Sequence, residues 1–215
     1  MMNLPIAILS VGIGIGYADA GPTHYITEDF ACMRSIINLN VYTLADASSS
    51  KRLANQLLDK PELCYIRFDR HDQPELPVTN FKTDLTYRLM GDTVTEKKVL
   101  IIGSGKMSHI ISDVYKSRQV SVVGVDLIRA KPFPYTLGML LEECGGVIVV
   151  DEQTPCGSLG AAVLEEMAKR NTLNKKVRIL TLPEQYLFEN GGREYLLKKH
   201  GLSAENIIQT LNDYF

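Results

Sequence analysis

The sequence lacks several features that mark specialised classes of protein. Its four cysteines, at positions 32, 64, 144 and 156, form no CxxC pair, so the usual zinc and dithiol motifs are excluded. This usage is typical of a reduced, cytoplasmic protein. The formal net charge is only −2, so the chain has no basic excess with which to bind nucleic acid or an anionic membrane.

The N-terminal segment lacks a positively charged region. Residues 1–16 are apolar and Ala18-Asp19-Ala20 resembles a signal-peptidase site, but no lysine or arginine precedes Arg34. The apolar run from Leu4 to Gly16 is too short to cross a bilayer. We therefore expect neither secretion nor a membrane span, and interpret the segment as a strand followed by a glycine-rich turn.

What is present is typical of a globular protein with its own core. The 215 residues suffice for one large or two small domains, and 45% of them are hydrophobic. Apolar runs alternate with helical patterns along most of the chain, which predicts an α/β fold. Pro5–Val11 has the continuous apolar character of a parallel strand buried on both faces. Prolines and polar residues predict a linker over 77–96, with a short peripheral element around Leu85–Met90.

The periodicity and the capping residues predict the remaining elements. Further strands are predicted over Val41–Ala45, Leu63–Phe68, Lys98–Ile102, Val120–Val125, Val147–Asp151 and Val177–Leu182. One helix is predicted to start near Thr27, and another to follow an N-cap near Asp46 and end near Leu58. Later helices are predicted over Met107–Lys116, Tyr135–Cys144, Gly157–Arg170, Gly192–His200 and Ala204–Tyr214.

Two glycine-rich turns are weak candidates for ligand sites. Gly103-Ser104-Gly105-Lys106 follows a strand and precedes a helix, but its spacing departs from both a Walker loop and a dinucleotide fingerprint. A tight turn explains it better than a nucleotide site, although a helix N-terminus can hold an anion. Gly12, Gly14 and Gly16 allow the close approach of a substrate or of another chain.

A more specific pattern begins at Gly21-Pro22-Thr23-His24 and continues to Met33-Arg34. Together with the run NLNVYTLADA at 38–47, it resembles the pyrimidine-binding domain of transketolase and of the related deoxyxylulose-phosphate synthases. Tyr65–Arg70 resembles the family's strand that presents an arginine to the sugar phosphate. The segments 151–163 and 182–207 resemble its C-terminal domain, so the resemblance covers nearly the whole chain.

The resemblance implies an α/β fold in two parts. An incomplete parallel-sheet pyrimidine-binding domain would occupy residues 1–76, and a three-layer α/β C-terminal domain would occupy 97–215. The glutamate that activates the aminopyrimidine and the Gly-Asp-Gly…Asn magnesium motif are expected to lie outside these residues. Thiamine diphosphate and its magnesium would then be held mainly by an N-terminal transketolase subunit, in a homo- or hetero-oligomer.

The resemblance also assigns roles to individual residues. His24 would be the catalytic residue and would hydrogen-bond the sugar hydroxyls, because an imidazole both donates and accepts near neutral pH. Arg70 would bind the sugar phosphate. The family places a substrate-binding aspartate directly before this motif, so either Asp19 replaces it from a shifted backbone and binds the substrate, or one contact to a substrate hydroxyl is lost. Arg67 is expected to point to the opposite face and to be a surface charge, and Glu152 is interpreted as structural. No cofactor-binding residue or metal ligand is identified.

Several functions stay open at this point. The favoured hypothesis is a transketolase component that transfers a two-carbon ketol unit between sugar phosphates after an N-terminal part completes it, and that is inactive alone. The absence of an arginine upstream of Gly21 favours transketolase over a synthase-like component. A non-catalytic assembly or regulatory module, or a truncated remnant, is the main alternative, and a nucleotide-binding protein based on Gly103–Lys106 is the weakest.

Overall fold

The computed structural model describes residues 4–78, 80–81, 85–91, 94–118 and 121–215. Their strands are β1 (Ala7–Val11), β2 (Asn40–Thr43), β3 (Cys64–Phe68), β4 (Asn80–Phe81), β5 (Tyr87–Met90), β6 (Val99–Gly103), β7 (Val122–Leu127), β8 (Arg129–Lys131), β9 (Gly146–Val150) and β10 (Lys176–Leu180). The helices are α1 (Asp29–Arg34), α2 (Ala47–Asp59), α3 (Lys106–Arg118), α4 (Tyr135–Glu143), α5 (Leu159–Lys169), α6 (Gly192–Lys199) and α7 (Ala204–Tyr214), with a 3-10 turn at Pro22–His24.

The first sheet has the order β1-β3-β2-β8. Its first three strands are parallel, with Ala7 opposite Cys64 and Asn40 opposite Cys64 on the other side. Strand β8 is antiparallel to β2 and comes from the part of the chain assigned to the C-terminal domain. The sequence did not predict this strand. Because β8 pairs with β2, both halves of the chain build the first sheet.

The second sheet has the order β10-β9-β6-β7-β5-β4. The strands β10, β9, β6 and β7 are parallel, as the strand–helix alternation predicts. Strand β5 pairs antiparallel with β7 and all four of its residues are buried. The element expected around Leu85–Met90 therefore exists but is not peripheral, because it extends this sheet. Residues 79, 82–84 and 92–93 of the predicted linker lie outside the described residues.

Helices cover both faces of the second sheet, so the predicted three-layer α/β arrangement is confirmed. Successive side chains of a strand point to opposite faces. Ile101 packs in one core cluster with residues of α3, α6 and α7, whereas Leu100 and Ile102 pack in another with residues of α4 and α5. None of the described helices is long and apolar enough to cross a membrane.

Strand β1 is confirmed, but its predicted burial on both faces is wrong. Leu9 is 64% exposed and Val11 is 50% exposed. The physical reason is its place at the edge of the first sheet, where β3 is its neighbour on one side. The result is a row of exposed apolar side chains on an edge strand, which is a surface suited to association.

The helix predicted after Asp46 is confirmed in detail. The Asp46 carboxylate accepts a hydrogen bond from the Ser49 N–H at 2.8 Å, and the Ser49 hydroxyl accepts one from the Asp46 N–H. This capping box satisfies amide groups that would otherwise lack partners at the start of α2. It also places Asp46 at the boundary between the two sheets, where its second oxygen binds Arg88.

Candidate functional site

The candidate site lies where two parallel strands of the first sheet end. Arg70 follows β3, and Tyr17 and Asp19 lie in the loop that follows β1. His24 ends the 3-10 turn that comes next along the chain. In open α/β sheets ligands bind at the carboxyl ends of the parallel strands, so the location agrees with the expectation from the sequence.

The structure brings the three predicted site residues together around one aromatic ring. The Arg70 guanidinium donates a hydrogen bond through Nη1 to Asp19 and lies 4.5 Å from the centre of the Tyr17 ring. The His24 ring is centred 6.1 Å from the Tyr17 ring and is tilted 43° to it. The Thr23 hydroxyl lies 3.0 Å from His24 Nδ1. We call Tyr17, Asp19, His24 and Arg70 the loop cluster.

Charge within the loop cluster is partly compensated. The hydrogen bond from Arg70 lowers the pKa of Asp19, so its carboxylate stays ionised. Arg70 remains 30% exposed and Asp19 67% exposed, so both are accessible to a ligand. A guanidinium has five N–H donors, and the bond to Asp19 uses one of the two on Nη1. Arg70 therefore has the donors for a phosphate group, which would compete with Asp19 for the same cation.

Tyr17 is a member of the cluster that sequence reasoning missed. Its ring lies beneath the Arg70 guanidinium, a cation–π arrangement that restricts the orientation of the arginine. Gly12, with φ +99, leaves the space that this ring fills, because a Cβ there would overlap it. The only sequence signal was its position between the glycine-rich turn and Asp19.

A cavity of about 310 Å³ adjoins the turn that carries Arg70. Its volume is at the small end of the range for ligand pockets, and its walls come from the ends of β2 and β3 and the start of α2. The residues lining it are Leu44, Ala45, Asp46, Ala47, Ser50, Phe68, Asp69, His71, Asp72 and Gln73. Asp69 and His71 flank Arg70, so the loop cluster and the cavity share one turn.

Arg67 is a buried structural residue, and its interpretation as a surface charge is wrong. It donates to both oxygens of Asp29, at 2.8 and 3.0 Å, and to the Thr43 hydroxyl at 3.1 Å. The buried position of its strand explains the difference, because a guanidinium there must find partners within the protein. Arg67 and Arg70 thus engage separate groups, in agreement with the expectation that they do not serve one phosphate jointly.

Glu152 is also structural, as the sequence suggested. It lies beside the glycine-rich turn after β1, where its Oε1 accepts a hydrogen bond from the Ile15 N–H at 3.3 Å. Burial raises its pKa, and the Arg193 guanidinium opposes that rise. The group that approaches Gly14 closely is therefore a side chain of this protein, rather than a substrate or another chain.

The turn at Gly103–Lys106 is occupied by contacts within the chain. Lys106 Nζ forms an ion pair with Glu194 at 3.0 Å. Gly105 has φ +56, and a Cβ there would meet Thr43 at 3.2 Å. These contacts favour the interpretation as a tight turn between a strand and a helix over a nucleotide site.

The residues present do not fit a metal-bound diphosphate. Within the described ranges, no group of three or more His, Cys, Asp or Glu side chains could hold a metal ion. Magnesium bridges a diphosphate to protein through carboxylate and carbonyl oxygens, so a cluster of such ligands would be needed. We therefore assign no step of a reaction on thiamine diphosphate to these residues.

Comparison with known proteins gives matches along nearly the whole chain. Residues 92–207 match the family described as transketolase, C-terminal domain. The chain is 25% identical over 216 residues to one of the subunits of the apulose-4-phosphate transketolase of Phocaeicola vulgatus, covering 97% of this chain and 67% of that protein. It is 26% identical to a putative transketolase C-terminal section of Methanocaldococcus jannaschii, with coverages of 97% and 66%. It is also 26% identical to 1-deoxy-D-xylulose-5-phosphate synthase of Cupriavidus pinatubonensis, covering 34% of that enzyme.

Solved structures share the fold. A protein described as a split gene transketolase, inactive beta4 tetramer, superposes with a TM-score of 0.79 at 23% identity, over 99% of this chain and 67% of that one. A transketolase from Campylobacter jejuni superposes with a TM-score of 0.72 at 18% identity, over 96% of this chain and 31% of that one. The chain thus spans from about a third to two thirds of the length of the proteins it matches.

Proposed function

Because the chain belongs to the transketolase C-terminal domain family, we propose that it is the C-terminal section of a two-part transketolase. Completed by an N-terminal part, it contributes to thiamine-diphosphate-dependent transfer of a two-carbon ketol unit between sugar phosphates. The observation that carries this proposal is the loop cluster, in which His24 and Arg70 both lie next to the Tyr17 ring.

Each member of the loop cluster has chemistry suited to a sugar phosphate. Arg70 binds the phosphate group, because a guanidinium fork matches phosphate oxygens bidentately. His24 hydrogen-bonds the sugar hydroxyls near the reacting carbon, because a neutral imidazole has one nitrogen that donates and one that accepts a hydrogen bond. Asp19 holds Arg70 until the phosphate displaces it, and Tyr17 keeps the guanidinium oriented.

The N-terminal part would supply the binding sites for the cofactor and its metal ion. In the proposal, an N-terminal transketolase subunit holds thiamine diphosphate and magnesium and joins this chain in a homo- or hetero-oligomer, with a dimer as its unit. The exposed apolar residues of β1 support such association, because an edge strand with unpaired backbone groups readily adds a further strand. The four free cysteines support a location in the cytoplasm.

The proposal keeps residues 1–76 as the pyrimidine-domain section and 97–215 as the C-terminal domain. Strand β5, which lies between them, belongs with the second section because it pairs with β7. The alternative of a non-catalytic assembly module rests on the same exposed strand β1. Activity after mixing with an N-terminal part distinguishes the two.

The experiment is complementation. The full chain is purified and assayed for ketol transfer from xylulose 5-phosphate with thiamine diphosphate and Mg²⁺, alone and with N-terminal transketolase subunits encoded near its gene. We expect activity in a mixture and none with the chain alone. Formation of a stable complex without ketol transfer would favour the assembly module, and the absence of both would overturn the proposal.

A further inference from the structure

A buried arginine of the second half of the chain is bonded to the loops that carry the candidate site. Arg193 lies in the first turn of α6 and its side chain is 11% exposed. Its Nε and Nη2 donate to the two carboxylate oxygens of Glu152, at 2.7 and 2.5 Å. Its Nη1 donates to both oxygens of Asp69, at 2.9 and 2.7 Å.

The bond to Asp69 fixes the turn on which Arg70 lies. Asp69 directly precedes Arg70, and its Oδ1 also accepts a hydrogen bond from the His71 N–H at 3.1 Å. The residues on both sides of Arg70 are thus attached to one carboxylate, and that carboxylate is held by Arg193. Displacement of Asp69 would therefore move the backbone from which the Arg70 side chain extends.

The same guanidinium fixes the loop that carries Tyr17. Arg193 Nη2 donates to the Ile13 carbonyl at 3.4 Å, and Glu152 accepts from the Ile15 N–H at 3.3 Å. Tyr17 follows two residues later, and its ring lies under Arg70. Both loops of the cluster thus depend on one pair of side chains from the second half of the chain.

The balance of charge makes this arrangement sensitive to the arginine. One guanidinium lies between two carboxylates whose side chains are only 3% and 5% exposed. Without the guanidinium, two buried carboxylates would repel each other and would have to admit water or separate. Either response moves the Asp69 turn away from the loop after β1.

We propose that Arg193 is a positioning residue which, through Asp69 and Glu152, holds Arg70 against Tyr17 and so sets the affinity of the loop cluster for a phosphorylated sugar. This inference rests on the proposed function of Arg70. It makes the C-terminal domain a determinant of substrate binding, because the site forms fully only when α6 is docked on the turn after β3.

The test uses the full chain with two readouts. The first is the NMR signals of the Tyr17 ring, the His24 ring and Arg70 Nε without ligand. The second is the dissociation constant for xylulose 5-phosphate, with inorganic phosphate as the minimal probe. Arg193→Gln is compared with Arg170→Gln, since Arg170 is equally buried and binds two carboxylates, of Glu166 and Glu142, outside the loop cluster.

We expect Arg193→Gln to shift all three signals and to weaken xylulose 5-phosphate binding by about tenfold or more. Arg193→Lys keeps the positive charge but loses the forked donors of the guanidinium, so it should give an intermediate effect. It replaces Arg193→Gln in the test if the glutamine variant does not fold. Arg170→Gln should change neither readout. Unchanged signals in a folded Arg193 variant, or equal changes in the Arg170 variant, would overturn the inference.

The two readouts separate this inference from the function on which it rests. If the wild-type chain binds neither probe while the signals still move in Arg193→Gln, the phosphate role of Arg70 fails and the positioning of Arg70 stands. If the wild-type chain binds xylulose 5-phosphate and Arg193→Gln binds it equally well, the positioning role fails and the proposed function stands.

Discussion

Glu152 fills the space that a side chain at Gly14 would need. A Cβ at Gly14 would lie 2.7 Å from the Glu152 carbonyl oxygen and would overlap its Cγ, and the backbone there has φ +61. The glycine that the sequence offered as a candidate for ligand approach is thus required for packing between the two halves of the chain. The relationship gives the loop cluster a fixed support in Glu152, which lies 137 positions after its hydrogen-bond partner Ile15.

Gly14→Ala should be strongly destabilising, because the new methyl group meets both a disfavoured backbone conformation and Glu152. We expect a loss of more than about 2 kcal/mol in the free energy of unfolding, measured by chemical denaturation. Gly201→Ala is the matched control, since Gly201 has φ +79 with nothing within 4 Å of its Cβ position. It should lose only about 1 kcal/mol. Equal losses would show that Glu152 does not constrain the turn.

Arg88→Met should also be destabilising, because Arg88 is the cation of a buried ionic group that joins the sheets. Its guanidinium lies 2.7 Å from both Asp46 and Asp126, and all three side chains are at most 1% exposed. Two buried carboxylates would lose their cation, so we expect a loss of about 3–5 kcal/mol in the free energy of unfolding. The control Lys116→Met removes an exposed ion pair with Asp113 and should change the free energy of unfolding by less than about 0.5 kcal/mol. A similarly small effect of Arg88→Met would show that this buried ionic group does not stabilise the fold.

Asp151 predicts a specific dependence of stability on pH. Burial raises the pKa of Asp151 to about 6, although the charge of Arg67 opposes the rise. The folded state therefore binds a proton at Asp151 more tightly than the unfolded state does. Protonation of Asp151 contributes its full stabilisation below about pH 4, and this stabilisation is lost as the pH rises to about 6.

Asp151→Asn removes this titration and keeps an acceptor for the Leu159 N–H. We expect the stability of the variant relative to the wild type to rise by about 2–3 kcal/mol between pH 4 and pH 6 and to stay level above that. A flat difference for Asp151→Asn in denaturation curves across this range would be inconsistent with a raised pKa.

Asp19→Asn should tighten the binding of inorganic phosphate severalfold. The Asp19 carboxylate is bonded to Arg70 and competes with a phosphate for that cation. Titration calorimetry on the full chain measures the effect, with Asp113→Asn as the control for the loss of an exposed negative charge. Weaker binding in Asp19→Asn would instead indicate that Asp19 contacts the ligand directly.

Leu9→Lys should weaken association of the chain with an N-terminal subunit. Leu9 is 64% exposed on the edge strand β1, and a lysine there opposes the addition of a further strand. Leu58→Lys is the matched control, since Leu58 is 79% exposed but lies on α2. Size-exclusion chromatography with light scattering measures the fraction of the chain in complex with the N-terminal subunit. This fraction should fall for Leu9→Lys and stay unchanged for Leu58→Lys. An equal loss in the control would mean that β1 is not the interface.

Local signals in the sequence account for much of the fold. Continuous apolar runs located the parallel strands β6 and β9 within a residue or two, and Asp46 marked the start of α2. The short strand β8 was missed because it holds only three residues, too few for a periodic pattern, and β5 was expected only as a peripheral element. Their position is set by pairing with distant strands.

The residues of the candidate site were identifiable where they belong to a local motif and were missed where their placement depends on distant partners. The Gly21–His24 motif and the strand before Arg70 located three of the four members of the loop cluster. The contact between Asp69 and Arg193 joins residues 124 positions apart, and no spacing rule connects them. The burial of Arg67 likewise depends on Asp29, which lies 38 positions earlier in the chain.

The kinetic effect of Arg70→Gln in the completed enzyme shows most directly whether the loop cluster binds the sugar phosphate. The kcat/KM for ketol transfer is measured with xylulose 5-phosphate and with unphosphorylated xylulose as donors, with Arg118→Gln as an exposed control. We expect kcat/KM to fall by about tenfold or more for the phosphorylated donor alone, since one charge-assisted contact is lost. An equal fall for both donors, or none for either, would contradict the assignment of the loop cluster as the sugar-phosphate site.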